Sequence, residues 1–208
     1  MESRIDVMNL EGKVMYIFLG SSGSGKSKLG FQLRQFNIPE LISHTSREIR
    51  LEDGEKEGIN YYYRSKEEIL PPDKTKEEVL ETEMIEFAEY GDDIYGLSRK
   101  EVEAKLSTND IVYAVTELNG VNQVKERLGD KMKIIVIYIK IDPEEAERRM
   151  VSRGDKPEKI AKRLKNAIKN KEYDNAVHAD YVIDNNGSFE NSTQQLFDIV
   201  FNKQKAVS

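Results

Sequence analysis

The sequence predicts an α/β protein in which a parallel sheet is flanked by helices and a small α+β region is inserted. Three observations carry this. Strand-like and helix-like segments alternate through most of the 208 residues, the pattern that produces parallel sheets covered by helices. A glycine-rich turn joins the first of these strands directly to the first helix. Between Pro39 and Gly96 the alternation breaks into short β-like pieces, Gly-containing turns and one charged helix.

In chain order, Lys13–Leu19 is an apolar run of buried-strand type, and Ser27–Phe36 reads as a helix with Leu29, Leu33 and Phe36 on one face, stopped before Pro39. Leu41–Thr45, Asn60–Arg64 and Ile94–Tyr95 are the β-like pieces of the insertion, Pro71-Pro72 a turn, and Thr75–Glu89 its charged helix. Ile111–Val115 and Lys133–Ile139 return to buried-strand composition. Asp142-Pro143-Glu144-Glu145 opens a helix, with Asp as N-cap, Pro in the first turn and Glu three residues after the cap. Ile160, Leu164 and Ile168 give helical spacing within Pro157–Tyr173; Tyr181–Ile183 is a short strand and Phe189–Phe201 a closing helix. The division expected is one domain over 1–208, with a core of 12–39 and 97–208 and an insertion of 40–96.

Composition narrows the class. With 38% hydrophobic and 34% charged residues, the chain has the balance of a soluble protein, and its longest apolar stretch is strand-sized. Met1 to Glu11 carries acids among its apolar residues and lacks a secretory core. The lack of cysteine removes disulfides and thiolate metal sites and fits a cytoplasmic location. A net charge of −6 argues against a general nucleic-acid binder, so an anionic substrate needs a locally basic cleft. His44 and His178 are too few and too far apart to suggest a metal site or triad.

Gly20-Ser21-Ser22-Gly23-Ser24-Gly25-Lys26-Ser27 spells G-x-x-x-x-G-K-S between that first strand and helix. Glycines let successive backbone N–H groups curl around phosphate oxygens, the lysine reaches the terminal phosphates, and the Ser27 hydroxyl is placed to ligate Mg²⁺. Such a loop serves GTPases, motors, transporter ATPases and small-molecule kinases alike. A GTPase needs an Asn-Lys-x-Asp motif for guanine, which this chain lacks. Further on, Arg47 and Arg50 stand three apart ahead of Tyr61, and two guanidiniums with a phenol suit a second phosphate group.

Taken in order, these segments resemble the guanylate kinases. That family carries S-x-T-[ST]-R-x-x-R, G-E-x-x-G-x-[DN]-Y, [FM]-[IL]-E-[WFY]-A, a Y-G pair, R-x-x-x-R-G, K-R-L and a late V-I-x-N. Here they read Ser43–Arg50, Gly54–Tyr61, Met84–Ala88, Tyr95-Gly96, Arg149–Gly154, Lys162–Leu164 and Val182–Asn185, and the resemblance covers nearly the whole chain. It implies the fold of a P-loop nucleoside monophosphate kinase, with a GMP-binding insertion and a lid at about 149–163. It implies ATP and GMP as substrates with Mg²⁺ accompanying the ATP, and neither a nucleic-acid nor a membrane partner. In those terms Arg47, Arg50, Tyr61 and Tyr95 would hold the GMP phosphate, Glu86 would accept from guanine N1–H and its amine, and Ser43 would bond the base carbonyl. Lys26, Arg149, Arg153 and Arg163 would act on the transferring phosphoryl group, Arg149 and Arg153 sharing a helix face, while Asn185 would lie near the ATP base.

Three departures from the family pattern bear on the acceptor and the metal. Where the family places D-x-D, the chain has Val115-Thr116-Glu117, so the first acid is lost and Glu117 keeps the second, for base recognition or for the metal through water. Leu97 follows Tyr95-Gly96 where the family has Ser or Thr contacting guanine, with Ser98 pointing elsewhere on a strand. Asp92-Asp93 adds negative charge beside an anion site. The alternatives to phosphoryl transfer from ATP to GMP are a related kinase for another nucleoside monophosphate or a ribosyl phosphate, and a non-catalytic guanylate-kinase-like interaction module.

Overall fold

The computed structural model describes residues 9–90 and 92–202; most of the Met1–Glu11 reading falls outside them. In chain order the elements are β1 (Val14–Leu19), α1 (Lys26–Arg34), β2 (His44–Thr45), β3 (Tyr62–Tyr63), α2 (Lys66–Ile69), α3 (Lys76–Thr82), β4 (Met84–Tyr90) and β5 (Asp93–Ser98). They continue with α4 (Arg99–Leu106), β6 (Ile111–Val115), α5 (Leu118–Leu128), β7 (Lys133–Lys140), α6 (Pro143–Ser152), α7 (Pro157–Lys169), β8 (Tyr181–Asp184) and α8 (Phe189–Phe197). One four-stranded sheet has the order β6-β1-β7-β8, with β7 and β8 parallel; the other has the order β3-β2-β5-β4 and is mixed. The chain divides into two compact units, one of Met1–Met15, Pro39–Ala114 and Asn119–Ile134, the other of Tyr16–Ile38, Val115–Leu118 and Ile135–Ser208. Among the described residues no helix is long and apolar enough to cross a membrane.

In the first unit, α2 and α3 each begin with a capping box. Ser65 and Thr75 accept from the backbone of Glu68 and Glu78, whose carboxylates return the bond. The charged helix expected over Thr75–Glu89 ends early, at Thr82. Glu83 leaves helical backbone geometry, and Met84–Tyr90 pairs instead as an antiparallel strand with β5. Ile69, Val79, Met84, Phe87 and Ile94 form the core beneath this sheet. The pairing of β4 with β5 shifts register between Met84 and Glu86, so Met84 opposes Ser98 while Glu86 opposes Leu97. The extra residue, the fully buried Ile85, turns Glu86 to the face opposite Met84, although the two are two positions apart. The expected strands Leu41–Thr45 and Asn60–Arg64 shrink to His44–Thr45 and Tyr62–Tyr63: Leu41 donates its N–H to Tyr113 O and leaves the first, and Asn60 donates its N–H back to Lys56 O in a turn ahead of the second.

In the second unit, β1 delivers the chain to the glycine-rich loop and α1 starts at Lys26. Leu29 and Leu33 are buried, whereas Phe36 lies beyond the end of α1, half-exposed, with its ring against Phe197 and Phe201. Asp142 occupies the N-cap of α6 without a side-chain cap bond. Glu145, expected to complete a capping box there, spends its carboxylate on Arg148 and Arg149. The helix expected over Pro157–Tyr173 stops at Lys169, and Lys171 adopts φ 53 in the left-handed region before a 3₁₀ segment at Glu172–His178. Ile168, expected on the apolar stripe, is therefore in the last turn and exposed. The closing helix ends at Phe197 and continues as a π turn over Asp198–Asn202.

Candidate functional site

Each unit gathers one cluster of the residues singled out in the sequence. In the second unit the cluster forms where strands end. Thr116 donates its N–H to Phe18 O, and Asn185 donates its N–H to Lys140 O, so the ends of β1, β6, β7 and β8 converge on the glycine-rich loop. Carboxyl ends of strands in an open α/β sheet are where ligands bind in this architecture. Gly25 caps α1 at φ 93, and Lys26 folds back so that its Nζ donates to Gly20 O (2.6 Å) and Ser21 O (2.9 Å). Burial lowers the Lys26 pKa to about 8, against the opposing pull of the Glu172 and Glu117 carboxylates. Glu172 is itself raised, by burial first and then by Glu117.

Asn185 is 2% exposed, and its amide is engaged at both ends: Nδ2 donates to Ser24 O at 2.6 Å, and Oδ1 accepts from Ser192 Oγ at 2.7 Å. Arg149 donates Nε to Glu145 (2.8 Å) and Nη2 to Asn185 O (2.6 Å), which ties the helix arginine to the asparagine that braces the loop. Arg153 sits at the C-cap of α6, where its N–H still donates to Arg149 O, and it pairs through Nε with Asp155 at 2.8 Å. Arg163 reaches the same Asp155 carboxylate from α7. The hydrogen bond from Arg153, outweighing burial, holds Asp155 below the usual carboxylate range. Asp155 thus gathers two guanidiniums; sequence reading placed it only within the lid segment, although its place between Arg153 and Arg163 was a signal.

In the first unit the strand register defines a second cluster. Thr45 opposes both Tyr63 and Tyr95, Tyr95 opposes Ala88, and Leu97 opposes Glu86, so these side chains share one sheet face. Tyr61 and Tyr95 approach edge-on at 5.9 Å between ring centroids, and the Arg47 guanidinium lies 5.5 Å from the Tyr61 ring. Glu55 organises the cluster. It accepts from Arg47 Nη2 (2.7 Å), from the Arg50 N–H (2.9 Å) and from Tyr63 OH (2.8 Å). Burial opposes charge on Arg47, but the Glu55 carboxylate outweighs it and the net shift is upward. Burial and the neighbouring Tyr95 push Tyr61 to about 12, so it stays a phenol and a hydrogen-bond donor. Glu55 was visible only as the second letter of Gly54–Tyr61, and its role as the link between Arg47, Arg50 and Tyr63 emerges from the fold.

Glu86 is 5% exposed on this face, and Ser43, the residue before β2, is half-buried with its carbonyl accepting from Tyr62 N–H. Glu117, expected on the GMP side, falls in the second unit, where it acts electrostatically on Lys26 and Glu172. Ser98 is the N-cap of α4, where it accepts from Glu101 N–H, and so closes the strand structurally.

Comparison with known proteins gives one consistent family. The guanylate kinase family model matches residues 12–203. A guanylate kinase of Synechococcus sp. (strain JA-3-3Ab) is 38% identical over 187 residues, covering 88% of this chain and 79% of the relative. One from Fusobacterium nucleatum is 31% identical over 193 residues, covering 92% of this chain and 97% of the relative. Among solved structures, a guanylate kinase from Anaplasma phagocytophilum superposes with a TM-score of 0.68 at 28% identity, covering 92% of this chain and 86% of that one.

Proposed function

The chain belongs to the guanylate kinase family, and from that premise we propose that it transfers the terminal phosphoryl group of ATP to GMP, giving ADP and GDP. The single observation that carries the acceptor assignment is the buried Glu86 carboxylate on one sheet face with Tyr95. A carboxylate is acceptor-only and pairs with the adjacent N1–H and amino group of guanine; adenine presents no such donor pair on that edge. Arg47, Arg50, Tyr61 and Tyr95 take the GMP phosphate, Ser43 its base carbonyl, and Glu55 holds Arg47 in place. Gly20–Ser27 takes the ATP phosphates, with Lys26 at the terminal ones, and Asn185 acts by bracing Ser24.

The acceptor atom is a phosphate oxygen that is already anionic, so no residue needs to remove a proton before attack. The barrier lies in bringing two anions together, and positioning with cationic neutralisation by Lys26, Arg149, Arg153 and Arg163 lowers it. The residues present fit a divalent metal held mainly by nucleotide and water. The Ser27 hydroxyl is exposed in the first turn of α1, and Glu117 and Glu172 act on Lys26 from nearby, yet no cluster of three acids or histidines occurs among the described residues. Mg²⁺ bound there supplies charge neutralisation on the ATP phosphates. Segment 149–163 serves as the lid that excludes water.

The test is a coupled assay over a panel of nucleoside monophosphates with the wild-type protein and Arg47→Ala. GMP should be the strongest acceptor of the natural set, and Arg47→Ala should raise its KM about 10–100-fold with a smaller change in kcat, because a ground-state phosphate contact is lost. Turnover of another natural acceptor with none on GMP overturns the assignment.

The pH dependence of ATP binding is a second expected result. Lys26 is half-protonated near pH 8, and phosphate oxygens favour the ammonium form. Binding should therefore take up about half a proton at pH 8 and much less at pH 6.5. Calorimetry in buffers of different ionisation enthalpy reads this as a slope at pH 8 that shrinks on acidification; a flat response at pH 8 contradicts it.

A further inference from the structure

Two buried hydroxyls, Ser21 Oγ in the glycine-rich loop and Tyr173 OH in the 3₁₀ segment after α7, complete no hydrogen bond with a described residue. Two observations place them against each other. Tyr173 packs against the core of Ile141, Ala146, Met150 and Ile160, in which Ala146 and Met150 come from α6. The loop rests on the same spot: a Cβ added to Gly23 would lie 3.2 Å from Ala146 O and 3.5 Å from the Ala146 and Met150 side chains. Burial raises the Tyr173 phenol above its ordinary range, and the Ser21 hydroxyl pulls against that rise.

The two partners differ in how they are held. Tyr173 is fixed at its backbone, because Tyr138 OH, from β7, donates to the carbonyls of Glu172 and Tyr173, each at 3.0 Å. Ser21 belongs to the loop, and its carbonyl accepts from Lys26 Nζ (2.9 Å) and from Ser24 N–H (3.2 Å). To reach the terminal phosphates of ATP, Lys26 gives up Ser21 O, which releases one of these two bonds. A buried hydroxyl without a partner is costly, and two facing hydroxyls remove both costs with one bond. A small turn of Ser21 toward the fixed phenol therefore gains energy, and the departure of Lys26 permits it.

Resting on the assignment of Gly20–Ser27 to the ATP phosphates, we propose that Tyr173 is a positioning residue for that loop. Its hydroxyl closes on Ser21 Oγ when ATP draws Lys26 away, and it holds the loop against α6 while the nucleotide is bound. Tyr173 touches neither substrate and acts through Ser21. The couple strengthens ATP binding and contributes nothing to the fold without nucleotide.

Kinetics and melting of the wild-type protein, Tyr173→Phe, Ser21→Ala and the double variant test this. Tyr173→Phe should raise the KM for ATP about 3–10-fold, the loss expected of one hydrogen bond, and leave the KM for GMP within about 2-fold. Without nucleotide its Tm should equal or exceed that of the wild type, because the deleted hydroxyl has no partner there. Ser21→Ala should raise the KM for ATP by a similar factor, and the double variant by no more than the larger single effect. An unchanged KM for ATP in Tyr173→Phe overturns the inference, as do single effects that multiply in the double variant. A nucleotide-free Tm lowered by more than about 3 °C in Tyr173→Phe also overturns it, since that marks a purely structural role. Tyr173→Phe decides alone if Ser21→Ala does not fold. ATP titration of the nucleotide-free proteins gives the same comparison without an acceptor, so failure of the GMP assignment and failure of this inference are read separately.

Discussion

Lys26→Met should lower kcat by about 10³-fold while leaving the protein folded, because it removes a positioned cation from the phosphates on which charge builds during transfer. The thermal stability provides an internal control with a definite sign. Burial depresses the Lys26 pKa to about 8 from its ordinary 10.5, so the folded state holds the proton less tightly than the unfolded chain. That imposes a destabilisation that is fully present below about pH 8 and is relieved as pH rises toward 10.5. Methionine carries no proton, so the variant's Tm at pH 7 should match or exceed that of the wild type, and its advantage should fade at alkaline pH. A fall in activity accompanied by a large fall in Tm at pH 7 points to collapse of the loop, which Lys26 also bonds at Gly20 O and Ser21 O. Unchanged kcat removes Lys26 from the chemistry.

Gly25→Ala is expected to damage both stability and ATP binding, for reasons confined to one small volume. Gly25 has φ 93, which L side chains rarely adopt, and an added Cβ comes within 2.5 Å of Asn185 Nδ2. Asn185 has no easy retreat: it is 2% exposed, its amide bridges Ser24 O and Ser192 Oγ, and its carbonyl receives Arg149. The strain and the broken bridge together should cost about 2–4 kcal/mol, equivalent to a Tm lowered by about 5–15 °C. The KM for ATP should rise about 10²-fold or more, as the loop N–H groups lose their aim. Differential scanning calorimetry and ATP titration check the two effects separately, and a Tm within a degree of wild type rules out the proposed bracing.

The large features of the fold were legible because each rested on a local rule. The strand at Lys13–Leu19, the turn that follows and the helix after it are encoded by apolar composition, by glycine and by proximity, and they appear as β1, the loop and α1. Guanylate kinase membership was legible for a related reason: the motifs stand in order along one chain. What was not legible is what depends on pairing across the chain. Met84-Ile85-Glu86-Phe87 follows a charged helix with no breaker, and only the partner strand β5 decides that it is extended. Alternation alone puts Met84 and Glu86 on the same face; the register shift between them is a property of two strands. Glu55 and Asp155 were likewise unremarkable acids until the fold set arginines beside them.

The β4 strand lies at the rim of its sheet, where a row of backbone groups invites another strand. At Phe87 that invitation is withdrawn. Gln123, reaching from α5, accepts from the Phe87 N–H through Oε1 and donates to the Phe87 carbonyl through Nε2, both at 2.9 Å. One side-chain amide imitates one residue of a neighbouring strand and ends the ladder there. The consequence concerns how crowded copies of the chain behave toward one another: at Phe87 the sheet cannot be lengthened by an incoming polypeptide until it displaces Gln123. The Gln123 side chain thus acts as a guard against self-association at the edge that carries Glu86.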